Sequence, residues 1–171
     1  MAITHQKFRE IVFLLIYRND FAQAEEIDNA SLIMEQLAVT RKNVLDAAEK
    51  SRLVRQHLDD IDAKITEAST SYEFDRIQVI ERNILRLGVF ELFYDKNIPP
   101  KVAIAEALRL TKKFGTAAST AFVNAVLDHL YKKSMGIESN QDAIKQAVLN
   151  LNKGEEEALR QQRDATHLSD E

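Results

Sequence analysis

The chain has 171 residues, 45% of them hydrophobic and 29% charged, which suffices for one globular domain with a hydrophobic core. It contains no cysteine, and this excludes disulfides, thiolate zinc sites, iron–sulfur clusters and cysteine nucleophiles. The net charge of −4 argues against a surface that is basic throughout, so a nucleic-acid site has to be a local patch.

Helix-forming residues dominate the composition, with only four glycines and two prolines, and they predict an all-α fold. The spacing of apolar residues predicts a first helix over about residues 4–18, capped by Thr4, and a second over about 27–38. The polar segment from about 41 to 67 is predicted to form one long helix, or two helices broken near Ser51.

From about residue 72 to 94 the apolar residues surround the predicted helix almost completely, which is typical of a helix at the centre of a fold. Two prolines end this segment and predict a new helix over about 100–113, because proline is tolerated in a first helical turn. Gly115 is expected to follow it in the left-handed conformation that often ends a helix. Thr116 or Ser119 is expected to cap the next helix, which reaches about Lys133.

The last part of the chain differs in charge from the rest. Residues 137–171 hold four basic and eight acidic side chains, so residues 1–136 carry no net charge. We predict a main domain over 1–136 and an acidic C-terminal extension over 137–171. The extension is expected to be helical to about residue 153 and disordered over its last dozen residues.

The sequence offers no evident catalytic or metal centre. The histidines at positions 5, 57, 129 and 167 lie on separate predicted elements, and the four glycines are isolated, so a Gly-rich phosphate loop is absent. His57 and Asp60 share a predicted helix face, but the basic residues around them are typical of a solvated surface. We expect no metal, no cofactor and no enzymatic activity; a helical-bundle enzyme with a metal in its core would need inward ligands that the pattern does not offer.

No apolar run approaches the roughly 18 uncharged residues of a membrane span, and the opening residues MAITHQKFRE lack the layout of a signal peptide. We therefore expect a cytoplasmic protein.

Two features favour binding to a macromolecule. The first helix carries a short basic strip that includes Lys7 and Arg9, and the FGTAAST turn places Phe114 and Phe122 on either side of a hydroxyl-rich helix start. Helix starts can receive phosphate and aromatic rings can stack on unpaired bases. Taken separately, the same features also fit an exposed helix face and two core phenylalanines around a capped turn.

A family resemblance brings these features together. The run ERNILRLGVFELFYDKNIPPKVAIAEALRLTKKFGTAASTAFVNAVLDHLYK, residues 81–132, resembles the C-terminal half of the NusB family. That family's pattern there is I-L-R-hydrophobic-E-L, then I-P-x-K-V-A-I-x-E-A, K-x-F-G and F-V-N-G-V-L-D. REIVFLLIY, residues 9–17, is more loosely similar to the family's first helix.

The resemblance implies two small packed helical bundles with about seven helices, followed here by the extension. It also implies an RNA-binding antitermination factor that pairs with NusE, a small-subunit ribosomal protein, on boxA RNA. Such a factor joins a complex on RNA polymerase that suppresses termination, notably in ribosomal RNA operons. Some family members self-associate, so a homodimer is possible.

By position, the resemblance assigns nine residues to two functions. Those assigned to RNA are Lys7, Arg9, Phe114, Gly115, Ser119, Phe122 and Asn124, and those assigned to the partner protein are Glu81 and Arg82. The chain departs from the family where a run of arginines usually precedes the first R-E, and where an acidic residue often precedes the serine of the loop. These departures reduce the charge available to RNA and predict fewer base-specific contacts from the loop.

A second interpretation is a NusB-like protein-interaction module with no sequence-specific RNA binding. The two interpretations differ in geometry. RNA binding is favoured if Lys7 and Arg9 face the same side as residues 114–124, and interaction alone if they diverge.

Overall fold

The computed structural model describes residues 2–21 and 30–167. Within these ranges the chain forms eight α-helices and no strand, as the all-α prediction requires. The helices are α1 (His5–Asn19), α2 (Ala30–Leu37), α3 (Arg41–Gln56), α4 (Leu58–Ala68), α5 (Val79–Phe93), α6 (Pro100–Phe114), α7 (Ala117–Ser134) and α8 (Asp142–His167), with a 3-10 turn at Phe74–Arg76.

Three helices begin at a threonine that accepts a hydrogen bond from the backbone three residues later. Thr4 accepts from the N–H of Lys7 at 3.1 Å, and Thr40 and Thr116 do the same for α3 and α7. Each bond satisfies one of the N–H groups that a helix start leaves free. The predicted first helix and its cap at Thr4 are confirmed.

The segment from 41 to 67 forms two helices, but the predicted break near Ser51 is wrong. Ser51 is buried in the interior of α3, and the break falls at His57. The backbone of His57 leaves the helical conformation (φ −103°, ψ 9°), and its Nδ1 lies 2.9 Å from the carbonyl oxygen of Leu53. The predicted start of the second helix, near residue 27, lies outside the described residues.

Helices α1 and α2 both pack on α3 as a first bundle, and α4, α6 and α7 pack around α5 as a second. The predicted central position of α5 is confirmed, since Ile84, Leu85, Leu87 and Val89 are all buried. The helix begins at Val79, later than predicted, because the preceding residues form a loop with the 3-10 turn.

Arg86 of α5 joins the two bundles through buried ion pairs. Its Nε and Nη2 each donate to Asp62 of α4 at 2.8 Å, and its Nη1 donates to Asp20, after α1, at 3.1 and 3.2 Å. This two-pronged geometry is the strongest that an arginine makes with carboxylates.

The chain turns sharply between α6 and α7 and again after α7. Gly115 is extended (φ −114°, ψ −152°), so the predicted left-handed conformation is wrong there. Gly136 has φ +69° and ends α7. Helix α8 then continues through Gly154 to His167, whereas helix was expected only to about residue 153. In the described ranges no helix is long and apolar enough to cross a membrane.

Candidate nucleic-acid interface

The start of α7 is held by reciprocal hydrogen bonds between Thr116 and Ser119. The N–H of Ser119 donates to the Thr116 hydroxyl at 3.1 Å, and the N–H of Thr116 donates to the Ser119 hydroxyl at 3.3 Å. This capping box leaves the N–H groups of Ala117 and Ala118 without a hydrogen bond to any described residue. Such groups, at the positive end of an 18-residue helix, suit an anionic ligand.

Gly115 is required for the close packing of this turn. A Cβ placed on Gly115 would lie 3.0 Å from the carbonyl oxygen of Thr111 and 3.2 Å from the Ser119 hydroxyl. A larger residue would therefore push Ser119 away from Thr116. The glycine serves close approach, and its backbone angles are open to any residue.

Helix α1 lies directly beside this turn. Glu10 accepts hydrogen bonds from Arg109 and Lys113 at 2.7 Å each, and the rings of Phe13 and Phe114 are 5.0 Å apart. Burial acts to raise the pKa of Glu10, but the two cations hold it below its ordinary value. Helix α1 therefore contacts α6 and the α6–α7 turn through Glu10 and Phe13.

Four of the residues assigned to RNA are at least partly exposed. Asn124 is exposed, Lys7 and Phe114 are half-buried, and Gly115 lies in the turn. Lys113, next to Phe114, was not among the predicted residues, although its side chain is 52% exposed and its ammonium lies 5.6 Å above the Phe114 ring. Its place in the sequence LTKKFGT, directly before the turn, was the available signal.

Arg9 faces the interior and does not belong to this surface. Its Nε donates to both carboxylate oxygens of Glu91 at 3.0 and 3.1 Å, and its Nη1 lies 3.8 Å from Glu106. Because its side chain is only 6% exposed, the guanidinium cannot reach RNA in this conformation. The assignment of Arg9 to RNA contact is corrected accordingly.

Ser119 and Phe122 are also buried. The Phe122 ring packs edge-on against Tyr72 with centroids 5.8 Å apart and is closed to solvent, so stacking on a base would require the core to open. Ser119 donates to Glu81, as well as completing the capping box. Both residues pack in the interior behind the turn and support its conformation.

Glu81, assigned to the partner protein, lies under the same turn. Its Oε1 accepts from the Ser119 hydroxyl at 2.5 Å, whereas Oε2 has no hydrogen-bond partner among the residues that the structure describes. Burial raises the pKa of Glu81 above its ordinary value. The carboxyl lines a cleft of about 400 Å³ together with the α6–α7 turn and one side of α8.

Arg82, also assigned to the partner protein, lies at the edge of α5. Its Nη2 is 3.7 Å from Asp20, and its guanidinium lies 5.6 Å from the centre of the Phe74 ring. The side chain is 18% exposed, so one edge of it is open to a partner.

Metal coordination has no geometric support in this region. Within residues 2–21 and 30–167 no three histidine or carboxylate side chains converge in a way that could hold an ion.

Sequence comparison identifies relatives over most of the chain. The sequence model described as the NusB family matches residues 6–132. The transcription antitermination protein NusB of Chlamydia pneumoniae is 36% identical over 129 residues, covering 75% of this chain and 81% of that protein. The protein of the same name from Anaeromyxobacter dehalogenans is 41% identical over 130 residues, covering 75% of this chain and 90% of that protein.

Solved structures show the same relationship. T. maritima NusB superposes with a TM-score of 0.66 at 32% identity, over 78% of this chain and 94% of that one. A chain in a crystal structure of the antitermination factors NusB and NusE with double-stranded RNA gives a TM-score of 0.65 at 29% identity, over 75% of this chain and 96% of that one. With a family match over residues 6–132 and the same fold, the chain belongs to the NusB family.

Proposed function

We propose that this protein is an RNA-binding transcription antitermination factor. It pairs with the ribosomal protein NusE on boxA-type RNA and helps RNA polymerase to read through terminators, notably in ribosomal RNA operons. It acts by binding, without a cofactor and without catalysis. A factor of this kind works on nascent transcripts, and we therefore place it in the cytoplasm.

The observation that carries this proposal is the capped turn between α6 and α7. It presents two unpaired N–H groups, those of Ala117 and Ala118, beside the half-buried ring of Phe114. A phosphate can accept from the N–H groups while an unpaired base stacks on the ring. Single-stranded RNA offers both groups in alternation along its chain.

The site residues divide into two kinds. We propose that Lys7, Lys113, Phe114 and Asn124 contact RNA, because their side chains are at least partly open. Gly115, Ser119 and Phe122 position the turn. Glu10 pairs with Lys113 in the free protein, so RNA phosphates compete with that carboxylate for the cation.

The proposed NusE surface includes Arg82 and the start of α5. The structural neighbour that contains NusE supports this pairing, as does the membership in the same family. Glu81 is buried and can reach a partner only through the cleft. Its contribution to partner binding is therefore expected to be smaller than that of Arg82.

A protein-interaction module without sequence-specific RNA binding is the second candidate. The burial of Arg9 favours it, because the basic strip on α1 loses its strongest phosphate ligand. The position of α1 beside the turn favours RNA binding instead.

The test is fluorescence anisotropy with a boxA RNA and a scrambled RNA, each with and without NusE, at two salt concentrations. We expect tighter binding of boxA that strengthens with NusE. If boxA RNA is not preferred at either salt concentration, with or without NusE, the protein-interaction function is favoured instead.

Lys7→Ala should weaken RNA binding several-fold and lower the slope of log affinity against log salt by about 1, because one phosphate contact is lost. Lys132→Ala is the matched control, since it removes one half-exposed lysine that pairs with Asp128 near the far end of α7. Equal effects of the two variants would show that only general charge matters and that α1 is not part of the site.

A further inference from the structure

Helix α8 begins after the family match ends. The match stops at residue 132, and α8 spans Asp142–His167. This helix is therefore a feature of this chain that family membership does not explain. Its position can be judged only from its own contacts.

The first half of α8 is docked on the body of the protein. Ile144, Ala147, Val148 and Leu151 are buried in the core that α7 forms with its neighbours. The segment before it is fixed as well, because the Ser139 hydroxyl lies 3.0 Å from Nδ1 of His129. This half is an integral part of the fold.

The second half of α8 is held loosely. None of residues 152–166 is buried. Gly154 lies at the junction, where a Cβ would meet nothing within 4 Å, so packing does not require a glycine there. Glycine is among the poorest helix formers, and the helix is weakened at this point.

This loosely held half forms one wall of the cleft beside the RNA surface. Gly154, Glu155 and Ala158 line the cleft opposite Glu81 and the α6–α7 turn. The Tyr72 hydroxyl donates to Glu155 at 3.1 Å, and burial together with the Glu155 carboxylate raises the pKa of Tyr72 to about 12. The helix therefore stands beside the N–H groups that are proposed to receive phosphate.

The electrostatics of this wall oppose RNA. Glu155 is followed by two further glutamates, Glu156 and Glu157. Burial raises the pKa of Glu81, and the charge of Glu155 acts in the same direction. The Glu155 carboxylate lines the cleft, and with the two exposed carboxylates that follow it in sequence it makes this part of α8 repel phosphate. Repulsion between Glu81 and Glu155 also weakens the contact of α8 with the body.

We propose that the distal half of α8, residues 155–167, is a built-in competitor of RNA: it covers the cleft beside the α6–α7 turn in the free protein and is displaced when RNA binds. The proposal rests on the proposed RNA-binding function and adds its regulation. Displacement pivots at Gly154, while the docked half remains in place. RNA affinity is thereby lowered until an RNA with enough contacts pushes the helix aside.

The absence of cysteine from the chain allows a direct test in the full-length protein. In the double variant Gln78→Cys and Ala158→Cys, which replaces two residues that line the cleft outside the proposed phosphate site, oxidation to a disulfide locks α8 over the cleft, and reduction releases it. Loss of free thiols on oxidation shows that the disulfide has formed. We expect the oxidised form to bind boxA RNA at least tenfold more weakly than the reduced form. The pair His129→Cys and Ser139→Cys, which ties α7 to the docked end, should bind equally well in both redox states.

A second variant tests the charge of the wall without any cross-link. Replacing Glu155, Glu156 and Glu157 with Gln should tighten RNA binding several-fold at low salt. The control is Asp46→Asn, Asp59→Asn and Asp60→Asn, which removes three exposed charges from α3 and α4 and should have a smaller effect. In hydrogen exchange of the wild-type protein, backbone amides of 155–163 should exchange faster after RNA is added.

The outcomes separate the two proposals. If RNA binds the oxidised and reduced forms of the Gln78/Ala158 variant equally, α8 is no competitor, and the RNA-binding function stands. The same conclusion follows if amides of 155–163 become more protected with RNA. If neither the wild-type protein nor the reduced variants bind RNA, with or without NusE, both proposals are overturned.

Discussion

The two ends of α5 carry the same residue type in opposite surroundings. Glu91, near the end of the helix, and Glu81, in its first turn, are 1% and 2% exposed. Both oxygens of Glu91 accept from Arg9, and Oε1 also accepts from Lys50 at 2.6 Å. Among the described residues, Glu81 accepts from the Ser119 hydroxyl on Oε1, the backbone of Gln78 also helps to stabilise its charge, and Oε2 has no hydrogen-bond partner.

Glu91 is therefore a buried carboxylate that stabilises the fold, whereas Glu81 is one whose burial costs stability. A buried charge costs several kcal/mol unless cations and hydrogen bonds replace water around it. Glu91 has both, and it joins α1 and α3 to α5. Glu81 lies about 15 Å away along the helix, at about 1.5 Å per residue, and no cation of the described part of the chain acts on its pKa. It lines a cleft, which is where an unsatisfied group can find a ligand.

The largest effect on stability is expected when Glu91 loses its main cationic partner. Arg9→Ala removes the cation that bonds both oxygens and leaves a buried carboxylate with Lys50 alone. We expect the free energy of unfolding to fall by about 3 kcal/mol, as when one partner of a buried ion pair is removed. Urea unfolding followed by circular dichroism measures it.

Arg52→Ala is the matched control, because Arg52 pairs with Glu49 in solvent, with side chains 45% and 57% exposed. This variant should unfold at nearly the wild-type urea concentration. An Arg9→Ala protein that keeps its stability but loses the salt dependence of RNA binding would return Arg9 to the RNA surface.

Helix positions were predictable from the sequence where they depend on nearby residues. The cap at Thr4 and the end of α7 at Gly136 rest on hydrogen bonds or backbone angles within a few residues. The break at His57 was not predictable, since nothing in the local pattern separates it from Ser51. The continuation of α8 past Gly154 was missed because glycine lowers helix propensity without forbidding a helix.

Side-chain roles in the site were less predictable, because they depend on distant partners. Arg9 is separated by 82 residues from Glu91, and no local sequence pattern predicts that the two side chains pair. A signal was nevertheless present, since Arg9 shares the helical stripe of Val12, Phe13 and Ile16, which is the buried face of α1. Phe122 is similar: the residues around it are mostly core.

A smaller effect on stability is expected from a change at Ser119, which donates the side-chain hydrogen bond to Glu81. Ser119→Ala takes away the hydrogen bond to Glu81 and one half of the capping box. The loss should lower the free energy of unfolding by about 1–2 kcal/mol, because the buried carboxyl of Glu81 loses its side-chain donor. Ser134→Ala, which removes an exposed hydroxyl from the end of the same helix, should have little effect. Equal urea midpoints for the two variants would mean that water reaches Glu81.

The smallest effect, and the most diagnostic, is expected from Glu81→Gln. Glutamine keeps the shape and the oxygen that accepts from Ser119, but it has no charge to bury. Because burial raises the pKa of Glu81 above the ordinary 4.5, the folded wild-type protein holds its proton at pH values where the unfolded chain has lost it. Over that window the unfolded state binds fewer protons, so wild-type stability falls as pH rises.

Unfolding in urea should therefore show a difference between Glu81→Gln and wild type that depends on pH. Below about 4.5 the two proteins should be nearly equal, because Glu81 is protonated in both states. Above the raised pKa the variant should be the more stable, since only the wild-type protein then buries an ionised carboxyl. Glu91→Gln should have the opposite sign at neutral pH, because Glu91 pairs with cations that lose their partner. A wild-type protein more stable than Glu81→Gln at neutral pH would show that Glu81 has a partner in solution, and the two ends of α5 would then be alike.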